Sequence, residues 1–262
     1  MSEGRVECPS GLVLDVRGFK VSEANVFASE SANKEGTVAD RVFDACWKAT
    51  VDPGPYAMGP DGRPDWSKLH VGDRLYLLIR IRSITYPKPY AFRVNCPARG
   101  CRKPFDWELD LNALPVKKMP EAAREALKGD RTLEITSFGR KVRFRLLVGE
   151  DEKKNLKLLR TKKDQIVLAA LNLRIASIEG VENKLGFLEA LDMEPALDLR
   201  DAMDDADGGV DTDIQVVCTH CDTQFDIRLP FGEEFYVPRR VRPISAEATE
   251  EKDTSTEPAT RP

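Results

Sequence analysis

Two cysteine pairs set in matching frames constrain this chain more than anything else in it. The first reads Val94-Asn95-Cys96-Pro97-Ala98-Arg99-Gly100-Cys101, with Phe105-Asp106 and Leu109 beyond it. The second reads Val216-Val217-Cys218-Thr219-His220-Cys221, with Phe225-Asp226 and Leu229 beyond it. In each, a valine lies two residues before the first cysteine. In each, Phe-Asp follows the second cysteine at four and five positions, and leucine at eight. One small unit, a strand, a knuckle and a strand, is used twice.

A turn with two to four residues between cysteines can present both sulfurs to one ion, and two such turns complete a tetrahedral zinc shell. The expected centre is one structural Zn2+ held by Cys96, Cys101, Cys218 and Cys221. A closed shell of four sulfurs leaves no position for water or substrate. The gap between Cys96 and Cys101 is at the wide end of the range, and the bland alternative is free cysteines buried on hairpins. His220 could replace a cysteine, but its place inside the knuckle points to exposure. Redox pairs sit where a strand feeds a helix N-terminus. The flanks of Cys218 and Cys221 read as two strands, which is the wrong setting.

The chain has 262 residues, 41% hydrophobic and 32% charged, long enough to bury a real core. No apolar run approaches the roughly 18 residues of a membrane span. Residues 1–7 lack the basic and apolar segments of a signal peptide, so a cytoplasmic location is expected. In that reducing compartment the cysteines are not disulfide staples, and Cys8 and Cys46 stand alone. The formal net charge of -4 argues against a dedicated nucleic-acid binder, since phosphate neutralisation supplies most of that affinity.

Residues 9–20 read as a short strand closed by Gly18, followed by helices at 22–33 and 37–49. The Pro/Gly-rich stretch 52–65 is a loop by chemistry. Periodicity does not settle 73–85; its length and a possible Asp73 cap favour a buried helix. Residues 90–95 and 104–111 alternate as strands around the first knuckle. A short helix follows Pro120, and 131–137 with 140–148 read as a hairpin turned at 137–140. A helix is expected from Glu150 to about Ser177, apolar all round from Ile166 to Ile178 and therefore buried. Residues 182–207 are strongly acidic, with a helix at 196–206 ended by Gly208-Gly209. Strand, knuckle and strand then fill 212–229.

These readings give an α+β fold of two β-hairpin knuckles with a helical insertion between them. The segments are 1–65 (strand, helices and loop), 66–149 (first knuckle and hairpins), 150–209 (helical insertion), 210–242 (second knuckle) and 243–262. From Ser245 onward no large apolar side chain occurs, and that tail is expected to be disordered.

Other chemistry finds little support. Only His70 and His220 could serve a nucleophilic triad, and no Gly-rich phosphate loop precedes a helix. Asp201, Asp204, Asp205 and Asp207 could bind a cation, but a solvated helix face is the plainer reading. Arg160, Lys162 and Lys163 could meet phosphate, though a solvated or partner-facing surface fits better. Trp47, Trp66 and Trp107 are most simply core or interface residues.

Several motifs together resemble one family. They are Pro9-Ser10-Gly11-Leu12, Val71-Gly72-Asp73-Arg74-Leu75-Tyr76, and the first knuckle with Asp106-Trp107-Glu108-Leu109. To these are added 141–147, 204–212 ahead of the second knuckle, and 229–238 after it. Over residues 8–238 the chain is similar to the T-even-type phage baseplate proteins known as baseplate hub assembly chaperones. These occur in contractile-tailed phages and phage-tail-like injection clusters. The resemblance implies no enzyme activity. It implies a protein that binds hub or spike proteins while the baseplate hub is built, or that stays there as a permanent subunit. A zinc-ribbon nucleic-acid module is the rival from another class, since Arg99, Arg102 and Lys103 crowd the first knuckle. No membrane partner or small-molecule substrate is expected.

Overall fold

The computed structural model describes residues 3–23, 35–161 and 166–238. Its architecture is mixed α+β, with small antiparallel sheets around a central helix. The helix expected at 22–33 falls almost wholly outside the described residues, and so does the tail beyond 238. Among the described residues no helix is long and apolar enough to cross a membrane.

The first sheet is an antiparallel meander of β1 (Glu3–Glu7), β2 (Val13–Arg17) and β3 (Trp47–Asp52). Val6, Leu14 and Val16 point inward, as strand alternation requires. Three differences from the sequence reading appear here. The expected strand at 9–20 begins only at Val13, because residues 8–12 form a turn closed by Cys8 N–H donating to Leu12 O at 2.8 Å, with Gly11 at φ 93°. β1 escaped the reading because Glu-Gly-Arg-Val-Glu offers one apolar side chain. Between β2 and β3 lies α1 (Val38–Cys46), shorter than the expected 37–49, since Trp47 already belongs to β3.

Helix α2 (Val71–Thr85) is the spine of the molecule. Its cap is His70, whose Nδ1 accepts from Gly72 N–H at 3.1 Å, rather than Asp73. Asp73 is sealed inside, accepting from Ser10 N–H at 3.0 Å and Tyr56 O–H at 2.5 Å. The helix buries Leu77 and Ile81 against the first sheet and Ile79 against the knuckles. Coverage on several sides explains why its sequence shows no single apolar stripe.

The knuckle hairpins are β4 (Tyr90–Asn95) with β5 (Pro104–Leu109), and β11 (Asp213–Val217) with β12 (Gln224–Arg228). Between them run β6 (Val116–Lys117), α3 (Glu121–Lys128), β7 (Thr132–Ser137) and β8 (Arg140–Arg145). The β7–β8 turn uses Phe138 at φ 41° and Gly139 at φ 72°, the left-handed pair of a two-residue hairpin.

The helix expected over 150–177 gives way to a strand after Arg174. The chain makes α4 (Gly149–Thr161) and α5 (Ile166–Arg174), then β9 (Ile175–Ile178), which adds to β8. The apolar run reads the same for a buried helix and a buried strand, and β-branched Ile175 and Ile178 favour the sheet. α6 (Lys184–Glu189) and α7 (Met193–Asp205) follow, then β10 (Gly209–Val210) paired with β6. At the crossing of α2 and β10, a Cβ on Gly72 would collide with the Gly208 carbonyl oxygen. Only glycine lets these backbones meet.

Candidate metal centre

Each knuckle is a turn built by its own backbone. In the second, Cys218 N–H donates to Thr223 O at 2.9 Å and Asp222 N–H to Cys218 O at 3.0 Å. In the first, Cys96 N–H donates to Lys103 O at 3.1 Å and Arg102 N–H to Ala98 O at 3.1 Å. Counted back from the second cysteine, Ala98 stands where Cys218 stands. The wider gap is therefore absorbed ahead of the turn, by Pro97 and Ala98, and the turn itself is unchanged.

The two frames meet face to face. Val94 and Val216 are both buried, and the Phe105 and Phe225 rings stand edge to face with centroids 6.3 Å apart. This packing brings together the four cysteines singled out from the sequence. Their sulfurs all lie within 4.8 Å of one another. Cys96 Sγ faces Cys221 Sγ at 3.6 Å, and Cys101 Sγ faces Cys218 Sγ at 3.8 Å.

A zinc ion with Zn–S bonds of about 2.3 Å places tetrahedral sulfurs about 3.8 Å apart. The two cross-knuckle distances match that edge and are far longer than a disulfide's bond of about 2.05 Å. The donor set also fits, since four cysteine sulfurs suit a soft or borderline ion such as zinc better than a hard one. Cys96 and Cys218 are buried, Cys101 is half-buried and Cys221 is exposed.

Electrostatics distinguish the thiols. The Thr223 hydroxyl, 3.2 Å from Cys221 Sγ, and the Thr223 amide pull the Cys221 thiol down to about 6. Burial pushes Cys96 up to about 12. At Cys101 the Lys103 amide pulls downward, but burial and the Cys221 and Cys218 sulfurs outweigh it, and the thiol rises. A divalent cation is what would let all four ionise together. His220 does not join the cluster in place of a cysteine: its Nε2 lies 3.2 Å from Pro104 O, tying the second knuckle to the first hairpin. Its backbone N–H donates to Cys218 Sγ at 3.4 Å. Thr223 and His220 support the cluster through contacts that spacing alone did not reveal.

Several titratable groups elsewhere are tied into the fold. His70 is fully buried, with Nε2 2.8 Å from Asp207 Oδ1, and Arg174 reaches Asp207 Oδ2 at 2.9 Å. Asp204 and Asp205 pair with Arg174 and Lys117. Trp66 is core and donates to Asp44 at 2.6 Å, while Trp47 and Trp107 are partly buried. The Arg160 side chain, Lys162 and Lys163 lie outside the described residues. A half-open cleft of about 600 Å³ runs between the 55–68 loop and the C-terminal end of α3. Its cations Arg63, Lys68, Lys128 and Arg131 each lie within ion-pair distance of a carboxylate.

Fold and site together define an α+β protein whose two β-hairpins bring four thiols to one point. The chain belongs to the family described as T4 bacteriophage base plate protein, whose profile matches residues 1–237. No curated protein and no solved structure matches it.

Proposed function

We propose that this baseplate protein is a non-catalytic, zinc-containing assembly factor that holds hub or spike proteins while the baseplate hub of a contractile tail or injection particle is built. The observation that carries the reading is the convergence of Cys96, Cys101, Cys218 and Cys221 in a chain of this family. One structural Zn2+ there would join segments 117 residues apart and give a rigid body on which a partner can be held. Binding of zinc at small four-ligand sites contributes roughly 10–16 kcal/mol at neutral pH, of the order of a whole domain's stability.

The non-catalytic reading draws on His70 being sealed against Asp207 and on the paired cations of the cleft. The protein acts in the cytoplasm of the producing cell. Two measurements test this role. Deleting the gene should leave hub proteins unassembled, and mass spectrometry of purified particles should find this chain missing. Recovery of the chain at hub stoichiometry would make it a permanent subunit instead. Salt-sensitive binding of DNA or RNA in a gel-shift assay would favour the nucleic-acid alternative.

A further inference from the structure

The four thiols are paired in a particular way. Each close sulfur contact joins one knuckle to the other, and each joins an accessible thiol to a sealed one. Exposed Cys221 faces buried Cys96 at 3.6 Å, and half-buried Cys101 faces buried Cys218 at 3.8 Å. The Cys218 sulfur is held in place by the His220 amide at 3.4 Å. We infer that peroxide oxidises this cluster to two cross-knuckle disulfides, Cys96–Cys221 and Cys101–Cys218, replacing a metal clamp by a covalent one between the same segments.

The chemistry balances with hydrogen peroxide as oxidant. The Cys221 thiolate attacks one peroxide oxygen, the O–O bond breaks, and hydroxide leaves, giving a sulfenic acid. The facing Cys96 thiol attacks that sulfur; the S–O bond breaks, water leaves and the S–S bond forms. A second peroxide takes Cys101 and Cys218 through the same steps. Each disulfide removes two electrons from two sulfurs and none from the metal, so Zn2+ is released unchanged. In each pair the accessible sulfur is the one oxidised and the sealed sulfur resolves it, which stops oxidation short of the irreversible sulfinic acid. Oxidation therefore frees the ion without parting two hairpins that lie 125 residues apart in sequence. Cys8 and Cys46 are buried and make no such contact among the described residues, so they should stay thiols.

The inference rests on the convergence of the sulfurs used in the proposed function, not on the ion itself. The test uses the full reduced chain, in a zinc-loaded and a chelator-stripped sample, treated with graded hydrogen peroxide. Free thiols are then blocked with N-ethylmaleimide, and peptides from a non-reducing digest are mapped by mass spectrometry. Cys96–Cys221 and Cys101–Cys218 peptides should be in large excess, with zinc release rising in step and Cys8 and Cys46 blocked. Predominance of Cys96–Cys101 and Cys218–Cys221 peptides overturns the inference, as does sulfinic acid at Cys221 without a disulfide. Zinc content is measured in the same samples before oxidation. Cross-knuckle pairing in a chain that binds no zinc would leave this inference standing and remove the metal.

Discussion

Arg102 and Asp222 occupy the same place in the two knuckles. Each directly follows the second cysteine, and each holds a left-handed backbone, with φ of 49° and 56°. The left-handed region costs a side-chain-bearing residue about 1 kcal/mol or more relative to glycine. That both turns carry the strain shows that they are the same structure despite their unequal cysteine spacing. Arg102→Gly and Asp222→Gly should therefore keep or raise the thermal midpoint of the protein. Arg102→Val should lower stability by about 1–2 kcal/mol, because a β-branched residue tolerates that region least. A calorimetric melt of the three variants checks this, and a stabilising Arg102→Val would contradict the turn assignment.

Arg74 should be the most costly cation to remove. It is buried, donates from Nε to Glu152 and from Nη1 to Asp40, both at 2.7 Å, and packs on the Phe43 ring. Losing it leaves Asp40 with Lys153 alone and empties the space beside Gly149, where a Cβ would already press on the guanidinium. Arg74→Met should lose about 3 kcal/mol by urea denaturation, with zinc content unchanged. A loss under about 0.5 kcal/mol would show the network to be no stronger than a surface pair.

Asp207 gives a pH-dependent test away from the cysteines. Burial opposes its charge, but His70 and then Arg174 outweigh that and hold its carboxyl below the usual 3.8. A depressed folded value means stability that is present above the unfolded value and lost as pH falls through the folded one. Asp207→Asn weakens charged hydrogen bonds to His70 and Arg174 and should cost about 2 kcal/mol at neutral pH. The gap to the parent protein should close only below pH 3.8. A gap that stays constant through that window would separate its cost from the carboxylate's ionisation.

What could be read from the residues follows from where the signal lies. The knuckles were legible because both cysteine pairs stand at short local spacings inside a repeated frame, which makes coincidence a poor explanation. The length of α2 was also legible, although its cap was not: a histidine cap at His70 depends on burial beside Asp207, which no local pattern encodes. The run through Ile178 reads as a helix because continuous apolarity fits either state, and only pairing with β8 decides for β9. β1 was missed for the opposite reason, since an edge strand with polar faces carries almost no hydrophobic signal. In the site, the sulfurs were predictable, whereas the Thr223 and His220 contacts arise from how the two hairpins dock.

The proposed role requires two distant thiol pairs to share one ion, and zinc analysis of the purified chain combined with X-ray absorption at the zinc edge tests this most directly. It predicts close to one zinc per chain, bound by four sulfurs at about 2.3 Å, with loss of both zinc and solubility in Cys218→Ser. A folded, soluble chain that carries no zinc, or zinc held by nitrogen and oxygen in place of these sulfurs, would contradict it.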